Sequence, residues 1–101
     1  MFSHPNETAV VGESVTIYCH SSDSRQVNWW FRASQDAEDS ELCVNGQLIN
    51  GNDKLYTLNN WDYSLTINSV TMDNSGLYTC GDNEGFGDRY TTWLTVLGEN
   101  V

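Results

Sequence analysis

Few residues in this chain could do covalent chemistry. The histidines are His4 and His20, and the three cysteines are Cys19, Cys43 and Cys80. No serine sits in a Gly-x-Ser-x-Gly turn, and no glycine-rich phosphate loop occurs. His20 follows a cysteine at a strand end, where it reads as a loop-edge residue rather than a general base. Zinc needs thiolates and imidazoles converging on one point, which this inventory does not supply. Asp36, Glu38, Asp39 and Glu41 crowd the stretch 33–41. Calcium also needs convergent oxygens, so that stretch reads as a solvated loop. The expectation is a chain with no catalytic residues, no metal and no cofactor. What remains is recognition chemistry. Asn6-Glu7-Thr8 is a sequon able to carry an N-linked glycan. Trp61, Asp62 and Tyr63 could stack on a sugar ring and accept its hydroxyls, or simply lead into a strand. Thiols could cross-link.

The 101 residues suit one domain spanning 1–101. A chain of that length buries only about two thirds of its unfolded surface, so a covalent staple would help it. The net charge is −10, with Arg25, Arg32, Lys54 and Arg89 the only cationic side chains besides histidine. That balance argues against nucleic-acid binding. Disorder is not implied, because aromatic and β-branched residues are plentiful. No stretch approaches the ~20 apolar residues of a membrane span. No secretion signal is visible, so Met1 reads as the start of an excised piece of a longer protein.

Strand patterns fill the chain. Phe2 to Thr8 reads as an irregular first strand broken by Pro5, and Val10 to Ser14 as a second short edge segment and turn. Val15, Ile17 and Cys19 alternate with Thr16 and Tyr18, the signature of a half-buried strand. His20–Gln26 is a polar loop. Val27-Asn28-Trp29-Trp30-Phe31-Arg32 follows and should place one indole inside. With Trp29 inward, Val27 and Phe31 are buried while Asn28, Trp30 and Arg32 turn outward. With Trp30 inward, Asn28 and Arg32 are buried instead, at several kcal/mol if unpaired. Burial favours Trp29, with Trp30 the alternative. Leu42-Cys43-Val44 and Gln47-Leu48-Ile49 flank Asn45-Gly46, a strong hairpin signal. Lys54–Leu58 and Tyr63–Ile67 read as further strands, the second with Leu65 and Ile67 inward. Gly81–Arg89 reads as a loop. In the closing strand Tyr90–Leu97, Leu94 and Val96 point inward and Trp93 outward.

The stretch Asn74-Ser75-Gly76-Leu77-Tyr78-Thr79-Cys80 runs a tight turn into a strand. Tyr78 and Cys80 share one face, and a buried Tyr78 hydroxyl needs a nearby backbone acceptor. This stretch resembles the Asp-x-Gly-x-Tyr-x-Cys signature of the immunoglobulin superfamily, with Asn74 in place of the acid. The resemblance also covers Cys19 and a tryptophan at 29 or 30, and so spans nearly the whole chain. It implies an all-β, two-sheet Greek-key sandwich. The extra hairpin around Asn45-Gly46 points to the variable type (V-set, with C′ and C″ strands); the intermediate set is the alternative. It further implies a disulfide between Cys19 and Cys80, hence an oxidising, extracellular or cell-surface location. The family's salt bridge would here join Asp73 to Lys54. Leu94-Thr95-Val96-Leu97-Gly98 is similar to an antigen-receptor joining segment, although Asp88 stands where that segment's Phe-Gly begins.

What the resemblance implies for function is extracellular recognition by an immune-type receptor or a secreted immune molecule. The alternatives are a cell-adhesion domain or a carbohydrate-binding one. The recognition loops would be 20–26, 45–52 and 81–89, with Ser22, Asp23, Asn45, Gly46, Asp82, Glu84, Phe86 and Asp88 as contact candidates. The second candidate surface is the outward sheet face, with Trp30, Arg32, Leu77, Thr79 and Trp93. Exposed tryptophans there would favour a protein partner, a second variable domain or a homodimer. Cys43 is expected to be an unpaired thiol, buried as a small apolar group; an outward thiol bridging to another chain is the alternative.

Overall fold

A computed structural model describes residues 6–19, 27–59, 62–81 and 89–98. Nine strands occupy them: β1 (Asn6–Val10), β2 (Val15–Ile17), β3 (Asn28–Arg32), β4 (Ser40–Val44), β5 (Gln47–Leu48), β6 (Tyr56–Leu58), β7 (Leu65–Ile67), β8 (Gly76–Gly81) and β9 (Arg89–Leu97). They form a six-stranded sheet, β1-β9-β8-β3-β4-β5, and a three-stranded sheet, β2-β7-β6. All pairings are antiparallel except β1 with β9, which is parallel. No α-helix occurs among the described residues.

The alternation rule explains which side chains fill the space between the sheets. Ala9, Ile17, Trp29, Leu65, Ile67, Tyr78, Cys80, Leu94 and Val96 are all buried in one cluster. Cys19, two residues past β2, is bonded to Cys80 on β8, and that disulfide joins the sheets across 61 positions of sequence. Closing so long a loop contributes about 4 kcal/mol in the chain-entropy view. Trp29 is the core tryptophan, with 1% of its surface exposed. Its indole N–H, which burial would otherwise orphan, donates to the Tyr63 carbonyl at 2.9 Å.

Several elements differ from the sequence reading. Asn6–Val10 runs unbroken across the division expected between the first strand and the second edge segment, and a turn at Gly12 follows; the expected break at Pro5 lies outside the described residues. Lys54 belongs to a 3-10 turn, Asn52–Lys54, and not to the strand after it. The expected Lys54–Asp73 salt bridge does not form. Both residues are exposed, and Asp73 lies within a second 3-10 turn, Met72–Asn74. Asn74 does local work there: its Oδ1 accepts from the Thr71 amide at 2.7 Å, closing a capping box. Its carbonyl accepts the Tyr78 hydroxyl at 2.8 Å.

Cys43 is buried and unpaired. Strand alternation could not assign its side, and the reason is a register shift. Trp29 pairs with Cys43 but Trp30 pairs with Glu41, so Leu42 is an extra residue and both Leu42 and Cys43 are buried. The thiol lies 3.5 Å from the Val27 carbonyl. Burial pushes its pKa up to about 11, which makes it a poor nucleophile at neutral pH.

Candidate functional site

The outward face of the six-stranded sheet is built from cross-strand rows. Thr91, Thr79, Trp30 and Glu41 form one row, and Trp93, Leu77 and Arg32 the next. The register therefore gathers Trp30, Arg32, Leu77, Thr79 and Trp93 on one surface, although they come from three separate stretches of chain. Trp30, Leu77 and Trp93 are half-buried rather than exposed. Over Trp30 the Arg89 guanidinium contributes to this cover, lying 5.2 Å from the ring centroid. Arg32 is spent on Asp39, with Nε and a terminal nitrogen each 3.0 Å from a carboxylate oxygen. That fork–fork geometry fixes the guanidinium against the Asp39 carboxylate. Asn28, read as outward, is only 5% exposed.

The surface continues onto β1. Ala9 faces the core, so Asn6, Thr8 and Val10 face out. Each is level with an outward residue of β9: Asn6 with Trp93, Thr8 with Thr95 and Val10 with Leu97. Val10 and Leu97 are exposed apolar neighbours at one end of this strand pair. Trp30, Leu77, Trp93, Leu97 and Val10 thus give one sheet face a discontinuous apolar path, with Arg89 the cation set against an indole. The sequence reading missed Val10 and Leu97, because their adjacency depends on a parallel pairing that periodicity does not reveal.

The second candidate surface is the loop end. Ser22, Asp23, Asp82, Glu84, Phe86 and Asp88 lie outside the described residues. The residues that anchor their segments are described, and they meet. Asn28, which ends the first segment, pairs with Gly81, which begins the third. The Gly46 amide donates to the Val27 carbonyl at 2.9 Å. The Asn45 amide donates to the buried Asn28 Oδ1 at 2.8 Å. Asn45 and Gly46 both have positive φ, as a tight hairpin turn demands. The Asn45-Gly46 turn is therefore stapled to Val27 and Asn28, and Asn28 in turn pairs with Gly81, which explains why Asn28 is buried.

Of the residues expected to stack on a sugar, Asp62 and Tyr63 are described, and Trp61 lies outside the described residues. Asp62 uses its carboxylate on Ser64, accepting from the backbone amide at 2.9 Å and the hydroxyl at 2.8 Å. Those bonds, the amide first, hold its pKa below the usual carboxylate value. Tyr63 instead lines an open groove with Gly46, Gln47, Leu48, Asp53 and Leu58. No group of acids, histidines and cysteines suited to a metal ion occurs among the described residues, and none of their helices is long and apolar enough to cross a membrane.

Comparison with known proteins agrees with this geometry. The immunoglobulin V-set domain family model matches residues 3–97. The polymeric immunoglobulin receptor of Oryctolagus cuniculus is 34% identical over 84 residues, covering 77% of this chain. The chain corresponds to only 10% of that protein's length. With a V-set match along nearly its whole length and the disulfide, core indole and corner tyrosine in one core, this chain belongs to the immunoglobulin V-set family.

Proposed function

We propose that this chain is an extracellular recognition domain of an immune-type receptor or secreted immune molecule, and that it binds other immunoglobulin-type domains. The observation that carries this reading is the outward sheet face, where Trp30 under Arg89, Leu77 and Trp93 continue to exposed Val10 and Leu97. Indoles and arginine are the side chains that most often dominate protein–protein contacts. The name of the rabbit relative, a receptor for polymeric immunoglobulin, supports the same class of ligand. Two modes fit the geometry. The sheet face pairs with a second variable domain, including a second copy of this chain across a two-fold axis. The loop end, held together by Asn28, Gly46 and Gly81, engages a separate ligand.

Sedimentation equilibrium of the unglycosylated chain tests the first mode. The expected result is weak self-association that survives reductant, since Cys43 is buried, and that Trp30→Ala abolishes. A strict monomer at high concentration overturns sheet-face pairing. Titration with a polymeric immunoglobulin, followed by amide NMR, tests the second mode. Shifts concentrated at residues 27–28, 45–46 and 81 support it, and no binding at all overturns it.

A further inference from the structure

The sequon asparagine and the sheet-face indole stand side by side. Asn6 opens β1, is exposed, and lies level with Trp93 on the parallel neighbour β9. Alternation puts the two side chains on the same outward face, since Glu7 pairs with the inward Leu94. Thr8, whose hydroxyl completes the sequon, is exposed on the same face, and Glu7 between them is no obstacle of the kind proline would be. Trp93 is in turn level with Leu77, and Leu77 with Arg32. Anything bulky on Asn6 therefore projects beside the row that runs across the middle of the candidate pairing surface.

We infer that Asn6 carries an N-linked oligosaccharide and that this glycan closes the sheet face to partners while leaving the loop end free. The modification joins C1 of the first sugar to Asn6 Nδ2. That bond replaces the C1–oxygen bond to the pyrophosphate of a lipid-linked oligosaccharide donor; the amide gives up one proton and the lipid pyrophosphate leaves. A branched, hydrated oligosaccharide next to Trp93 excludes a second sheet face by volume and by the cost of stripping its water. The loop-end anchors lie further along the strands. Asn28 is four positions from Arg32 on β3, a separation of about 13 Å at ~3.3 Å per residue. The glycan thereby selects between the two modes proposed above. It also shields β1, which is an edge strand of the six-stranded sheet among the described residues.

This inference rests on the sheet-face reading for its consequence, but not for the modification or its location. The test uses the chain secreted from eukaryotic cells, compared with Asn6→Gln. Intact mass before and after N-glycosidase reports occupancy. Sedimentation reports pairing, and acrylamide quenching of tryptophan fluorescence, repeated in a Trp93→Phe background, reports the cover over Trp93. The expected result is an occupied Asn6, self-association at least about tenfold weaker than in Asn6→Gln, and a Trp93 contribution to quenching that falls when the glycan is present. An unoccupied Asn6 in secreted protein overturns the inference, as does equal association of the two forms. If neither form associates, the pairing mode has failed and quenching decides alone. Reduced Trp93 quenching then sustains the glycan's placement, and equal quenching overturns it.

Discussion

The indole N–H of Trp29 donates to the backbone carbonyl of Tyr63 at 2.9 Å, linking the core of one sheet to the chain just before β7 in the other. Tyr63 has φ 57°, a left-handed conformation uncommon for a bulky residue. The bond gives the buried indole its acceptor and fixes that conformation. Trp29→Phe removes the donor, orphans the carbonyl and leaves a small void. Chemical denaturation should show a loss of about 3 kcal/mol, more than hydrogen-bond loss alone would produce.

Gly76 tests the corner that leads into β8. Its φ is 155°, and an added Cβ would lie within van der Waals overlap of the Arg32 carbonyl and the Phe31 ring. Backbone oxygen in a paired strand cannot move aside cheaply. Gly76→Ala is expected to cost about 3 kcal/mol or more, read as a lowered midpoint in urea unfolding. Gly12 offers the control. It also has positive φ, but nothing lies within 4 Å of an added Cβ, so Gly12→Ala should cost only about 1 kcal/mol of backbone strain.

Cys43 makes stability fall in alkali. Its folded pKa is pushed from 9.0 to about 11 by burial, so between those values the unfolded thiol ionises while the folded one stays neutral. The unfolded state then holds fewer protons, and folding weakens as pH rises. The contribution is fully present below pH 9 and lost by about pH 11, with a ceiling of ~2–3 kcal/mol. Burial also raises Tyr56 and Tyr78, so wild-type protein will slope for several reasons. The difference between wild type and Cys43→Ala, measured by unfolding from pH 8 to 11, isolates the thiol. A constant difference across that range would refute the assignment.

Asn28 ties the loop end together. Its Oδ1 is the acceptor for the Asn45 amide, and the side chain is nearly inaccessible to water. Asn28→Ala should cost about 1–2 kcal/mol and speed amide exchange at Asn45 and Gly46. Asn28→Asp keeps the acceptor but buries a charge. It is expected to preserve the turn at the expense of stability, with a difference that shrinks at acid pH as the carboxyl protonates.

What the amino-acid order determined here was local. Alternating Val15, Ile17 and Leu65, Ile67 announced half-buried strands, Asn45-Gly46 a hairpin, and Asn74–Cys80 a corner and its strand, because each depends on near neighbours and a period of two. Burial arithmetic over six residues favoured Trp29 for the core. The sequence was silent wherever long-range pairing sets the outcome. The shift that turns both Leu42 and Cys43 inward is a property of β3 against β4, invisible in β4 alone. The contact of Trp30 with Arg89 comes from a distant strand, and the meeting of Asn6 with Trp93 requires β1 to run parallel to β9. A salt bridge carried over from family pattern failed for the same reason: a shared motif fixes the turn, but charged side chains at the surface settle where solvent and local partners place them. Composition and spacing thus decided the kind of sandwich, and the register between strands decided which of its surfaces can meet another molecule.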